Sequence, residues 1–231
     1  MNQMAEVVST FLVLILSMLS GQGDVGQVMA GASVLPKEAR SSIGEVVELK
    51  NEACTETFGI HYGKIFCAEF LVPVDFSEED ILGHAKAYAK LMISQHEDLF
   101  GLSLMYYDDD LYREYNMSLV AAVQWAPNAV WDYDGSFILG DYSTHKFSIN
   151  YASYSSANEL NEKEKGLYKA LQDFSLSQRG EPIGMIFDTD YPNHNGTREI
   201  FELVSQEHGI SVEELIKIAM KVTYRRYMPE G

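Results

Sequence analysis

The spacing of apolar and polar residues changes several times along the chain. "KIFCAEFLV", Lys64 to Val72, carries Phe66, Ala68, Phe70 and Val72 on one face and Ile65, Cys67 and Leu71 on the other, broken only by Glu69. A strand apolar on both faces is a central strand. Ser77-Glu-Glu-Asp80 then sets an N-cap and acids against the positive end of a helix dipole. Ile81, Ala85, Tyr88, Ala89 and Met92 recur at helical spacing, so "SEEDILGHAKAYAKLMISQHED" should lay one face on a sheet. "GLSLMYY" and "SLVAAVQWA" predict strands, with the acidic run "DDD", Asp108 to Asp110, as the turn between them.

Further along, Asp134-Gly135 is a hairpin signal, and "HKFSINY" alternates with Phe147, Ile149 and Tyr151 inward. Asn161-x-x-Glu164 opens a second helix carried by Leu167, Ala170, Leu171 and Phe174. "PIGMIF" predicts a strand. A third helix fits Thr197 to His208, and Ser211-x-x-Glu214 caps a fourth. The strand composition of "VTYRRY" predicts that this last helix yields near Val222. The sum is an α+β fold: a mainly antiparallel sheet covered by about three to four helices, preceded by an apolar N-terminal segment.

That segment, "VVSTFLVLILSML" from Val7 to Leu19, has no charge and falls short of the roughly 20 residues that span a bilayer. It has the size of a secretory h-region, and Ala30 and Ala32 offer a cleavage site. Residues 1–32 are therefore expected to be a signal peptide or membrane-tethering segment plus linker, and the chain to be exported (periplasmic or secreted) or tethered through residues 7–19. Residues 20–42 are rich in Gly, Ala and Ser, and a single α+β domain is expected over 43–231. A competing reading uses the same stretch. Gly21-x-Gly23-x-x-Gly26 comes directly after the apolar run, and Glu48 lies about where a ribose-binding carboxylate would sit, the pattern of a dinucleotide-dependent oxidoreductase. Pro36 leaves room for only a short crossover helix.

Composition narrows the partners. The chain has 231 residues, with 17 Lys+Arg against 34 Asp+Glu, a formal charge of −17. So acidic a surface repels phosphate backbones, which excludes nucleic acid and leaves a protein or small-molecule ligand. Cys54 and Cys67 are the two cysteines. In an exported chain they should pair, closing a loop worth about 3 kcal/mol.

The remaining chemistry is sparse. "GMIFDTDYPN", residues 184–193, is similar over about ten residues to the strand-tip Asp-x-Asp of haloacid-dehalogenase-type phosphatases. That family also needs a large parallel sheet, whereas the residues after Asp190 read as two helices. Counted as a calcium loop, the stretch offers Asp188, Asp190 and Glu199 at positions 1, 3 and 12 but has Asn193 where the tight turn wants Gly. A metal-assisted hydrolase or divalent-cation site at Asp188/Asp190 is thus an alternative. The leading expectation is an ordinary turn into a capped helix, and no cofactor. There is no GxSxG elbow and no HExxH spacing. Trp125, Trp131, Tyr133 and Tyr142 cluster around the expected hairpin, where tip aromatics serve as contact residues. The function read from the sequence is a binding domain without evident catalytic apparatus, its contact surface at residues 125–142.

Overall fold

The computed structural model describes residues 46–54, 63–131, 138–190, 192 and 197–227. The element order is β1 (Val47–Ala53), β2 (Lys64–Leu71), α1 (Glu78–Gln95), β3 (Leu99–Tyr107), α2 (Asp110–Glu114), β4 (Ala121–Pro127), β5 (His145–Tyr151), β6 (Ser153–Tyr154), a 3-10 turn (Ser156–Asn158), α3 (Glu162–Arg179), α4 (Arg198–His208), α5 (Val212–Arg225) and β7 (Arg226–Tyr227). This is the expected α+β class. Strands β1 to β5 form one sheet in chain order, and β6 pairs with β7 in a separate antiparallel ribbon. The large sheet is mostly antiparallel. Its exception is β2 with β3, whose ends meet start to start (Lys64 N–H to Asp98 O) and end to end (Val72 N–H to Tyr107 O). Helix α1 is the crossover that a parallel pair requires. β3 is buried along nearly its whole length and β2 from Ile65 to Ala68 and at Phe70, the consequence of apolar runs broken only by Glu69 in β2 and Ser103 in β3.

The chain packs into two compact units. The first holds the described residues up to Phe70, Glu79–Leu104 and Val123–Ile149. In it α1 buries Ile81, His84, Ala85, Tyr88, Ala89 and Met92. The ring of Phe70 meets those of His84 and Tyr88 edge-on at 4.7 and 5.1 Å. Cys54 and Cys67 form a disulfide with Cα atoms 5.8 Å apart. They pack with Ile65 and Phe100 under Trp131.

The second unit comprises Leu71–Glu78, Met105–Ala122 and Asn150–Gly231. Its core joins Tyr112, Tyr115 and Met117 to Leu167, Tyr168 and Leu171 of α3, Phe201 and Val204 of α4, and Leu215, Ile218 and Val222 of α5. Asn161 caps α3 in a full capping box with Glu164, and Gly180 closes the helix in the left-handed region at φ 75°.

Three expected elements differ. "PIGMIF" is not a strand. Its apolar positions are real, with Ile183 and Ile186 buried, but side chains replace the ladder. Gln172 accepts from Ile183 N–H and donates to its carbonyl, and Thr223 Oγ1 accepts from Ile186 N–H. "VTYRRY" stays helical to Arg225, because Val222, Thr223 and Arg225 lie on the buried face of α5. Packing overrides the strand preference of those residues. The "DDD" run is not a plain turn either. Asp109 caps α2, its side chain accepting from Leu111 N–H, and the Asp108 side chain is buried.

Candidate functional site

In the first unit, β4 ends in a tight turn. Asn128 and Ala129 both take left-handed backbone angles, φ 53° and 60°. Ala129 is strained there, since its Cβ crowds the backbone in this region. Gln124 Nε2 donates to its carbonyl at 3.3 Å. The chain then folds back over the start of β3. Gly101 admits this: a Cβ there would stand 2.7 Å from both the Trp125 carbonyl and the Trp131 ring. Gly63 does the same for Leu139, whose Cδ1 would lie 3.0 Å from an added Cβ.

The aromatic side chains of this segment interlock. Trp125 is buried and packs at 5.3 Å from Tyr142 and 4.3 Å from His145. Tyr142 hydroxyl donates to the Leu99 carbonyl at 3.2 Å, and His145 Nε2 lies 2.8 Å from the Phe100 carbonyl. Burial holds the His145 imidazole below its usual range, against the raising effects of that carbonyl and Asp141. Burial and the Asp98 charge push the Tyr142 hydroxyl up. Around these rings the aliphatic side chains face water: Val130, Leu139 and above all Ile138, 70% exposed. Of the predicted contact residues, Trp125 is thus a foundation, Trp131 and Tyr142 are half-buried, and Tyr133 lies outside the described residues.

The other sequence-predicted residues are not brought together. Asp188 and Asp190 are exposed, and Asp188 Oδ1 accepts from Asp190 N–H at 2.9 Å, an Asx turn. Glu199 is exposed in the first turn of α4. Among the described residues no group of three or more His, Cys, Asp or Glu is placed to hold a metal ion. Gly21, Gly23 and Gly26 lie outside the described residues, as does the 7–19 segment; no described helix is long and apolar enough to cross a membrane. Glu48 is half-buried on β1, where it bears on Tyr88: burial first and then the Glu48 carboxylate push that hydroxyl up.

The second unit contains a cluster that sequence reasoning missed. Asp108, whose side chain is fully buried, accepts at both carboxylate oxygens from Arg225 Nη1 at 2.7 and 2.8 Å and also pairs with Arg226. Arg225 Nε donates to Glu159 at 2.8 Å, and its guanidinium lies 4.5 Å from the Tyr112 ring centre. Arg226 also donates to the Val74 and Ala152 carbonyls. Burial opposes the charge of Arg225, but Asp108 outweighs it and the net shift is upward. Every charge in the group has a partner, which suits a structural lock more than a catalytic centre. The neighbouring acids are engaged likewise: Asp109 holds Lys165 at 2.7 Å, and Asp110 holds Arg113 at 2.7 Å. Adjacent arginines at 225 and 226 facing an acidic run were the available signal, yet 117 residues separate Arg225 from Asp108.

No protein-family model, curated protein or solved structure matches this chain. The functional reading therefore rests on the geometry.

Proposed function

We propose that the protein is an acidic binding domain, exported or membrane-tethered, whose contact surface lies in the 125–142 region of the first unit, at its described residues Val130, Ile138 and Leu139. The observation that carries this is the exposure of Val130, Ile138 and Leu139 beside a packed ring foundation of Trp125, Tyr142 and His145. Aliphatic side chains held out on a rigid base are a contact surface, because water around them is released when an apolar partner covers them. The left-handed Ala129 at the foot of the segment supports the reading, since backbone strain gathers where a surface is held in one shape for a partner. The partner is a protein or small molecule with an apolar face; the charge of −17 disfavours nucleic acid. The disulfide supports an oxidising compartment, where such bonds persist.

Two measurements test this. Intact mass of the chain from fractionated cells, with and without reductant, should show it outside the cytoplasm with the bridge formed. A cytoplasmic chain with free thiols would sink the export half. For the surface, affinity capture from the extracellular fraction is compared between the native chain and an Ile138→Asp/Leu139→Asp variant. One partner should be retained by the native chain and lost by the variant. Equal capture by both removes this surface from consideration.

A further inference from the structure

In the first unit the disulfide lies directly beneath part of the exposed aliphatic set. Cys54 and Cys67 share one buried cluster with Ile65 and Phe100, and the Trp131 side chain packs on it. Trp131 is also pressed against β3, where a Cβ on Gly101 would stand 2.7 Å from its ring. Exposed Val130 is the residue before it. The Val130 amide donates to the Pro127 carbonyl at 3.1 Å and the Ala129 amide to the Ala126 carbonyl at 3.0 Å, so little slack separates β4 from Trp131. Leu139 reaches the same place: its Cδ1 and the Phe100 Cβ would each lie 3.0 Å from a Cβ on Gly63. Backbone bonds carry the cluster across three strands, Cys54 N–H to Ile65 O at 2.7 Å and Lys64 N–H to Asp98 O at 2.6 Å.

The bridge lies at the margin of the sheet. Cys54 follows β1, the outermost strand among the described residues, which is exposed at every position but the half-buried Glu48. The two cysteines keep 9 and 8% of their surface exposed. Thiol–disulfide exchange needs a line of approach to one sulfur, and a sheet edge offers it where a central position would not.

We propose that the Cys54–Cys67 bridge is a redox-sensitive seat for the contact surface, an inference that rests on the reading of that surface given above. Closed, the bridge holds Trp131, and with it Val130 and Leu139, in one posture. Opened by a dithiol, it releases them. One thiolate of the dithiol attacks a cysteine sulfur, the S–S bond breaks, and the other cysteine leaves as a thiolate and takes up a proton. The second thiolate of the dithiol then attacks the mixed disulfide, expels the remaining cysteine and closes the dithiol's own S–S bond. The dithiol is oxidised and the cysteine pair reduced. Unbonded sulfurs cannot stay as close as bonded ones. In close-packed surroundings the extra room comes from the neighbour that is only partly enclosed, Trp131.

The test is fluorine NMR of the full chain labelled with 5-fluorotryptophan, before and after excess dithiothreitol, with intact mass recording the protons gained. The chain's 2 tryptophans give one line each, and Trp131→Phe assigns them. Reduction should shift the Trp131 line and speed amide exchange at Val130. The Trp125 line should hold its position, since that ring packs on Tyr142 and His145, and α1 should keep its amide protection. Cys54→Ser/Cys67→Ser, which removes the bond without a reductant, should also displace the Trp131 line and speed exchange at Val130. A bridge that stays closed in dithiothreitol while the chain is folded overturns the proposal. So does a Trp131 line unmoved with both thiols free, or one that moves with no faster exchange at Val130. Collapse of both lines together with the far-ultraviolet signal means that the bridge holds the whole unit, and overturns it too. None of these readouts needs a partner. Equal capture by the Ile138→Asp/Leu139→Asp variant would remove the contact surface and leave the Trp131 shift standing, whereas an unmoved line removes the seat alone.

Discussion

The two units are fixed by opposite means. The first is sheet-rich and pinned covalently: Cys54–Cys67 ties β1 to β2 beneath Trp131. The second is helix-rich and pinned by ions: Asp108 holds Arg225 and Arg226 where no water competes. A covalent link restricts the unfolded chain and ignores salt, whereas a buried ion pair acts in the folded state and tolerates no missing partner. The contrast shows how one chain can leave aliphatic side chains exposed on one unit while a strongly charged cluster is fully paired inside the other.

The largest expected effect breaks the ionic side. Asp108→Asn should cost about 3–5 kcal/mol, because two buried guanidinium groups lose their counter-charge. Hydrogen exchange should then accelerate in α3 and α5 well before β2. Cys54→Ala/Cys67→Ala should cost about 3 kcal/mol in denaturant titrations and give the reverse pattern, with β1 and β2 losing protection first. Exchange that rises uniformly in both variants would erase the distinction between the units.

Acid sharpens the comparison further. Burial pushes the His84 imidazole down to about 4 from its ordinary 6.5, so the folded protein binds its proton only at lower pH than the unfolded chain. Its contribution is complete above pH 6.5 and is lost as pH falls toward 4, a decline of about 3 kcal/mol at most. His84→Phe should flatten that part of the stability–pH curve in the first unit; an unchanged slope would assign the acid sensitivity elsewhere. A smaller change is expected for Asn161→Ala, about 1 kcal/mol from the lost cap of α3, read as a lower thermal midpoint. The smallest is a gain. Ala129→Gly should add about 0.5–1 kcal/mol by relieving the left-handed backbone, and a loss in its place would show that the Ala129 methyl packs favourably.

Much of the architecture was legible because it is written in short-range patterns. The apolar run of β2, broken only by Glu69, the helical spacing of α1 and the Asn161/Glu164 pair each specify a local shape and a buried face. The cysteine pair was legible for a different reason: with two cysteines in the chain, each has a single partner to choose. Within the candidate site, the aromatic content of the 125–142 segment could be read, but not the ranking of its members. Trp125 proved to be foundation, while Ile138, an aliphatic residue with no pattern around it, is the most exposed large apolar side chain described.

By itself, then, the sequence determined the fold class, most helices with their caps, the central strands and the disulfide. Tertiary structure alone decided the rest. It turned "PIGMIF" from a strand into a segment bonded by Gln172 and Thr223, kept "VTYR" helical, and drew Asp108 out of an acidic run into a buried double ion pair. The physical reason is common to all three. Burial and helix capping depend on one residue and its near neighbours, whereas a hydrogen-bond or charge partner is a property of two residues that only the folded chain brings together.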